Sequence, residues 1–433
     1  MGPVIDNNGN SPVRKPKRVK YRIKWWRLTT VVLVLLALVV AAGGYAVWHF
    51  LVGLQTSVAS TVPGPGQRIN ILVIGVDAWM DTGPYQGIAA DFHKYPTRSD
   101  TLMLVSIDPT TGQIGLLSIP RDLWVSIPGH GHNRINAAHA FGGPQDGPAL
   151  AMQTVQQFLG VPVHYYVRTN FQGFQDIVDL LGGITVDVEK RLYYVDKAQG
   201  LYIDLQPGVQ VLDGQKALEY VRFRHDAEGD LGRIRRQQQV VKALMDKLLS
   251  VGTVLKIPQL EGEITKYVDT NMPPSEIMYL ATLAMKTKGA SLQTATYPGT
   301  PTVIAGADVL LPDTKDGQPL VDKIIWGLDY QANQSVTVEV LNGTGMPGKA
   351  SEVAKDLSDL GFAVARTGTA SGKLPASTVV LSHVQNDQAV QAVARALERL
   401  GIDNVEFQQG KPAAQDEPMI TITLGTDLAN GAH

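Results

Sequence analysis

The chain has 433 residues, 44% of them hydrophobic and 18% charged, with a formal net charge of −2. That balance excludes global disorder and a polyanion binder in bulk, so any anion site must be local. Cysteine is absent, which removes disulfides, thiolate metal centres and cysteine nucleophiles together and leaves the compartment open.

Residues 14–27, RKPKRVKYRIKWWR, carry many cations and no acid, and an uncharged run follows from Leu28 to Leu51. A helix rising 1.5 Å per residue needs about 20 apolar residues to cross a bilayer, and this run suffices. Trp25 and Trp26 mark one edge and Trp48 the other, where amphipathic rings favour the interface. The basic flank predicts a cytoplasmic tail over 1–27, a transmembrane helix over 28–51, a linker over 52–67 and everything later outside the cell. SVAS at 57–60 resembles a cleavage site, but signal h-regions run only about 7–15 residues, so an uncleaved anchor is expected.

RINILVIGVD reads as a buried strand, then a long loop runs to TRSDT. TLMLVSI and QIGLLSIP predict two strands of a hairpin with a loop of about five residues, which makes Asp108 a turn residue without chemistry. GHGHNR reads as a loop, INAAHAF as a short helix and PALAMQTVQQFLG as a helix ending at Gly160. VHYYVRTN, FQGFQDIVDLLGG and ITVDVE read strand, helix, strand. DGQKALEYVR begins like an Asp-capped helix, and a longer helix is expected from Asp230 to Leu249. Strands alternating with helices predict an α/β domain over 68–330, with the hairpin making its sheet mixed. Past YQANQ, residues 331–433 read as a small βαββαβ domain.

YVRFRHDAEGDLGRIRRQQQ, residues 220–239, is arginine-rich and contains no lysine. Read as extended, YVRFRH puts Arg222 and Arg224 on one face. Arg233, Arg236 and Gln237 share a stripe near the start of the long helix, and Arg235 points away. Cations oppose the dipole at a helix N-terminus, so the placement makes sense if an anion sits there, held by N–H groups and guanidinium forks. The alternative is an internal network with Asp226, Glu228 and Asp230. A nucleic acid partner is not expected for a chain without a wider basic surface. Arg98 and Asp100 precede one strand, Arg121 and Asp122 follow another, and Asp77 ends the first. Ligands collect at strand ends in layered α/β sheets, where Asp77 and Asp100 could meet as oxygen ligands of Mg²⁺ or Mn²⁺.

The ordered set NILVIGVD, RSDTLMLVSID, LLSIPRD, RINAAHAFGG, DLLGGITVDV, LDGQKALEYVRFRHD and GDLGRIRRQQ resembles the LytR–CpsA–Psr family of cell-wall ligases. The likeness covers about 68–250, and the tail looks like the extra domain that many members carry. The resemblance implies a mixed sheet between helices, in an α/β/α arrangement, with a tunnel for a polyprenyl chain lined from ALAMQTVQQFLG, FQGFQDIVDLLG and VVKALMDKLL. It implies a membrane-anchored transferase that moves a glycopolymer from undecaprenyl diphosphate to peptidoglycan, the muramic acid 6-hydroxyl attacking the polymer-bearing phosphorus to form a phosphodiester. Asp77 and Asp100 would hold the metal ion, and Arg98, Arg121, Arg222, Arg224, Arg233, Arg236 and Gln237 the diphosphate. Arg121, Arg222 and Arg224 would act in catalysis, with Asp122 or Asp226 as the base. The loop between Asp77 and Asp100 is longer than the family's common pattern. A polyprenyl-diphosphate phosphatase and a non-enzymatic lipid-carrier-binding regulator are the rival readings. The sequence names neither the polymer nor the oligomeric state.

Other signals carry less. GTGMPG at 343–348 follows a strand, but the next strand ends at Arg366 where a dinucleotide fold wants an acid, so the glycines are expected to shape a turn. His130, His132 and His139 lack the further ligand of a zinc site. No G-x-S-x-G elbow or P-loop is present.

Overall fold

The structure is a computed structural model that describes residues 67–76, 96–197, 201–223, 229–248, 268–273, 292–412 and 417–430, with a few single positions besides. The expected transmembrane helix over 28–51 lies outside them. Among the described residues no helix is long and apolar enough to cross a membrane.

The continuous apolar runs form strands buried on both sides. β1 (Ile69–Val76), β2 (Ser99–Ile107) and β3 (Ile114–Ile119) lie side by side and antiparallel. Asp108 closes the β2–β3 turn by accepting the Thr110 and Thr111 N–H groups at 2.8 and 3.1 Å. The stretch read as a Gly/His loop is instead a hairpin, β4 (Trp124–Ile127) with β5 (Gly131–Arg134). Its turn is Pro128-Gly129, with Gly129 at φ 74° and the His130 N–H on the Ile127 carbonyl at 2.9 Å, a Pro-Gly signal legible in the sequence.

α1 (Ala137–Phe141) and α2 (Gly143–Leu159) follow, and α2 stops at Gly160 in the left-handed region as expected. β6 (Tyr165–Asn170) leads directly into α3 (Phe171–Leu180), capped by the Asn170 side chain. Four short strands come next: β7 (Ile184–Val188), β8 (Leu192–Asp196), β9 (Leu201–Leu205) and β10 (Gly208–Leu212). Asp213 caps α4 (Gly214–Arg222) by accepting the Lys216 N–H, and α5 spans Gly229–Leu248.

β11 (Val268–Thr270) and β12 (Leu292–Thr296) complete a six-stranded sheet in the order β11-β6-β1-β2-β3-β12. β1 runs parallel to β6 and β3 parallel to β12, while the other pairs are antiparallel, so the sheet is mixed. Alternation along β1 sends Ile69, Ile71 and Val73 into one core with α3, α4 and α5, and Leu72 and Ile74 into another with α1 and α2. The three-layer arrangement therefore holds. It also separates helices that were expected to line one tunnel: Ala151, Val155 and Leu159 of α2 pack on the opposite sheet face from α3 and α5.

After the β13 (Gly299–Ile304) and β14 (Ala307–Pro312) hairpin, α6 (Thr314–Ile324) and α7 (Tyr330–Asn333) lead to the second sheet. It contains β15 (Thr337–Asn342), β16 (Ala363–Thr369), β17 (Thr378–Ser382), β18 (Val405–Gln409) and β19 (Ile420–Leu424), with α8 (Lys349–Asp359) and α9 (Asp387–Arg399) between strands and α10 (Asp427–Asn430) last. Its order is β16-β15-β19-β17-β18. The expected βαββαβ pattern thus gains one strand, VEFQQ, whose polar edge position hid it from an apolar-run reading. The core under this sheet is continuous with the α1–α2 core.

Candidate functional site

Register places the candidate residues. Val76 at the end of β1 pairs with Ser99 on one side and Asn170 on the other, Ile119 faces Leu102, and Thr296 faces Ser118. The last residues of β1, β3, β6 and β12 and the first of β2 therefore share one edge. The ladder steps from Gly75↔Thr101 to Val76↔Ser99, so Asp100 is the extra residue of a β-bulge, a device that re-aims a side chain.

Asp100 meets Arg121 there. Arg121 Nη1 lies 2.7 Å from Asp100 Oδ1, and the two side chains are 31% and 21% exposed. Asp122 sits between two guanidinium groups, 3.5 Å from Arg121 Nε and 3.6 Å from Arg134 Nε. The backbone fixes this corner from both sides. Asn136 donates its N–H to the Arg121 carbonyl at 3.2 Å and accepts from Ser99 at 3.3 Å, while Leu310 of β14 donates to the Asp122 carbonyl at 2.9 Å. Arg98 is exposed beside it.

A buried network that the sequence reading missed anchors the residue before Arg98. His139 Nδ1 donates to the Thr97 carbonyl at 2.6 Å, and its Nε2 accepts from Arg168 Nη1 at 3.4 Å. Arg168 also reaches the Pro144 carbonyl at 2.9 Å and Asp269 at 2.7 Å. Burial, with help from the Arg168 charge, lowers the His139 pKa to about 4, against the Thr97 bond and Asp269, so the imidazole stays neutral and keeps both roles. The available signal was an arginine in the middle of a buried strand, which demands a partner.

Helix α5 crosses the same end. Gln238 Nε2 donates to Ser118 Oγ at 3.1 Å and to the Ala295 carbonyl at 3.2 Å, bridging β3 and β12. Arg233 is half-buried, Gln237 buried and Arg235 exposed. Arg236 corrects the expectation that it surrounds the diphosphate. Its side chain is 0% exposed, Nε lies 2.9 Å from Glu189 Oε1, and Nη1 donates to the Phe223 carbonyl at 2.7 Å. Burial raises the Glu189 pKa, but its backbone N–H, the Arg236 bond and charge, and the Tyr220 hydroxyl together hold it below the usual carboxylate range. Arg236 therefore ties the start of α5 to the turn before it.

Residues 220–222 are the last turn of α4, and of the described residues in that stretch Phe223 is extended, at φ −62° and ψ 124°. Leu218, Tyr220 and Val221 are all buried in the core, so packing carries α4 through this turn. Arg222 is half-buried, its guanidinium 5.4 Å from the Phe171 ring centroid at the start of α3. That brings it to the same sheet edge. Arg224, Asp226 and Asp77 lie outside the described residues.

The donor set at this edge suits a hard cation. Besides Asp100, the buried Ser99 Oγ and Asn136 Oδ1 have no hydrogen-bond partner, and both are oxygens, as Mg²⁺ prefers. Among the described residues no three His, Cys, Asp or Glu side chains converge on a metal position. Mg²⁺ does not require that, since it is commonly held by one or two carboxylates plus substrate phosphate.

The model of the LytR_cpsA_psr family matches residues 55–324, and that of the LytR cell envelope-related transcriptional attenuator matches 335–428. Regulatory protein MsrR of Staphylococcus aureus is 37% identical over 212 residues, 48% of this chain and 58% of MsrR, so the chain spans little more than half of that relative. The polyisoprenyl-teichoic acid–peptidoglycan teichoic acid transferase TagU of Oceanobacillus iheyensis is 34% identical over 291 residues, 61% of this chain and 83% of TagU. Among solved structures, TagV of B. subtilis aligns at 28% identity with a TM-score of 0.49, covering 60% of this chain and 96% of TagV.

Proposed function

We propose a function on one premise: the chain belongs to the LytR_cpsA_psr family. It is a phosphotransferase anchored by residues 28–51, with its catalytic domain outside the cell. It transfers a glycopolymer from undecaprenyl diphosphate to peptidoglycan. The observation that carries this reading is the partly exposed Arg121–Asp100 pair, set on a bulge at a strand-end edge shared with Arg98 and Arg222. Solvent-facing guanidinium groups gathered at such an edge suit a diphosphate. The TagU relative is named for a transfer of this class.

In the reaction the acceptor hydroxyl attacks the polymer-bearing phosphorus. A P–O bond forms to the sugar, the bridging P–O bond breaks, and undecaprenyl phosphate leaves with the electron pair. Arg98, Arg121, Arg222 and Arg224 bind the diphosphate, with Arg233 and Gln237 beside them on α5, and stabilise the developing negative charge. Asp122 or Asp226 takes the hydroxyl proton. Asp77 and Asp100 would hold Mg²⁺ or Mn²⁺, which would supply neutralisation of phosphate charge. The sheet face under α3 and α5 takes the prenyl chain.

The test reconstitutes the full chain in detergent with a lipid-diphosphate-linked oligosaccharide, with and without peptidoglycan. Acceptor-dependent phosphodiester formation supports the reading. Release of phosphate regardless of acceptor replaces it with the phosphatase. Binding without any turnover replaces it with a lipid-carrier-binding regulator, the role that the name of the staphylococcal relatives favours.

A further inference from the structure

The β8–β9 hairpin presents two different faces. Leu192, Leu201, Ile203 and Leu205 point inward and are buried in the core. The outward face carries Tyr193 and Tyr202, 54% and 56% exposed, with ring centroids 6.3 Å apart and planes at 88°. Arg191 lies 5.2 Å over the Tyr193 ring and donates through Nε and Nη2 to the two Asp204 oxygens, each at 3.0 Å. Val195 pairs with Tyr202 across the ladder. The two rings thus stand open to solvent on a hairpin whose other face is packed into the core.

We infer that this face is a docking platform for an uncharged polysaccharide strand. Tyrosine rings offer flat apolar surfaces to the C–H faces of pyranose rings at low conformational cost, and phenol groups with an Arg–Asp fork match sugar hydroxyls and amides. Charge selects among occupants. From Asp187 to Asp204 the segment carries Lys190, Arg191 and Lys197 against Asp187, Glu189, Asp196 and Asp204. A segment with more acids than cations does not attract an anionic bilayer or a polyanion, both of which call for a basic excess.

The platform is also tied to the arginine stretch. Tyr194 stacks on His225 at 4.4 Å and 26°, and Glu189 at the root of β8 holds Arg236. Identifying the docked polysaccharide as the peptidoglycan acceptor rests on the proposed function.

The experiment measures retention of the full chain, in detergent, on peptidoglycan sacculi stripped of anionic polymers. Tyr193→Ala with Tyr202→Ala is expected to weaken retention on the order of tenfold, since each ring contributes a stacking contact. Tyr193→Trp with Tyr202→Trp is expected to restore it. Retention unchanged in the alanine pair overturns the inference. So does an alanine pair that keeps its sacculi but loses flotation with phosphatidylglycerol vesicles, which makes the face a lipid surface. Binding is read without turnover, so a failed transfer assay alongside tyrosine-dependent retention removes the enzymatic reading and leaves the platform standing.

Discussion

The sheet formed by β1, β2 and β3 has an arginine–aspartate pair at each of its two strand-end edges, and the two are built differently. At the strand-end edge, Arg121 and Asp100 are partly open to solvent and stand near buried hydroxyls that have no hydrogen-bond partner. At the opposite end, Arg68 and Asp108 have side chains 3% and 4% exposed. Arg395 of α9 completes that cluster from the second sheet by pairing with Asp108 and donating to the Gly327 carbonyl at 3.2 Å. Burial raises the Asp108 pKa, but Arg395, the Thr111 and Thr110 N–H bonds and Arg68 outweigh it and hold the carboxyl below its usual range. The same two residue types thus serve as a sealed clamp at one end and an open site at the other. Enclosure, rather than residue identity, separates the two pairs.

The clamp gives the largest expected effect. Asp108→Ala leaves the buried Arg68 and the half-buried Arg395 without their carboxylate, and stranding a buried charge typically costs about 3–5 kcal/mol. Denaturant unfolding should show a loss of that size, with transfer per folded molecule unchanged at permissive temperature. If stability is unaffected, the two ends do not differ in the way described.

Arg121→Ala is the mirror experiment. It removes a partly exposed cation, so the unfolding midpoint should barely move. Transfer should fall about 10²- to 10³-fold, the usual effect of losing one group that stabilises transition-state charge. A large stability loss with normal transfer would make Arg121 another clamp residue.

Much of this contrast was legible in part. Alternating or continuous apolar runs gave β1, β2, β3 and β6 their places, and Asp213 and Gly160 marked helix ends by local chemistry. Asp108 read correctly as a turn residue. Its second role was invisible because Arg395 lies 287 positions away, and no local pattern specifies a partner at that distance. Arg236 failed for a related reason: periodicity put it on a stripe with Arg233, but only the fold shows Glu189 and Phe223 occupying its donors. The bulge at Asp100 depends on pairing with β1, which a single strand does not encode.

A pH experiment sharpens the clamp side further. Glu398 faces Arg68, Asp108 and Asp403 from α9, and burial first, then Asp403, raises its pKa to about 7 against the Arg68 bond and charge. An acid with a raised folded pKa contributes stability that is complete below its ordinary value near 4.5 and is lost as pH climbs to about 7. His139 and His164 act in the opposite sense. Burial lowers both to about 4 from 6.5, so their contribution is lost as pH falls through that window. The two slopes oppose each other. Glu398→Gln should raise stability at pH 8 by about 1–3 kcal/mol and uncover a steeper acid-side fall between pH 6.5 and 4. A variant whose pH profile matches the parent's would remove Glu398 from the interface.

The smallest expected effect tests the open end from within. Thr101 points to the same side of β2 as Met103, into the core shared with α3, α4 and α5, and its Oγ1 is buried without a partner. Thr101→Val keeps the shape and removes a hydroxyl that costs free energy to bury unsatisfied. If the fold alone determined this position, valine would be the better residue, and unfolding should show a gain of about 1 kcal/mol. The hydroxyl is then retained for something the fold does not contain, and the diphosphate with its cation is the candidate. The same variant should therefore bind a lipid diphosphate more weakly while melting higher. Lower stability together with unchanged binding would mean that Thr101 serves the interior, and the edge would lose one of the orphaned oxygens that distinguish it from the clamp.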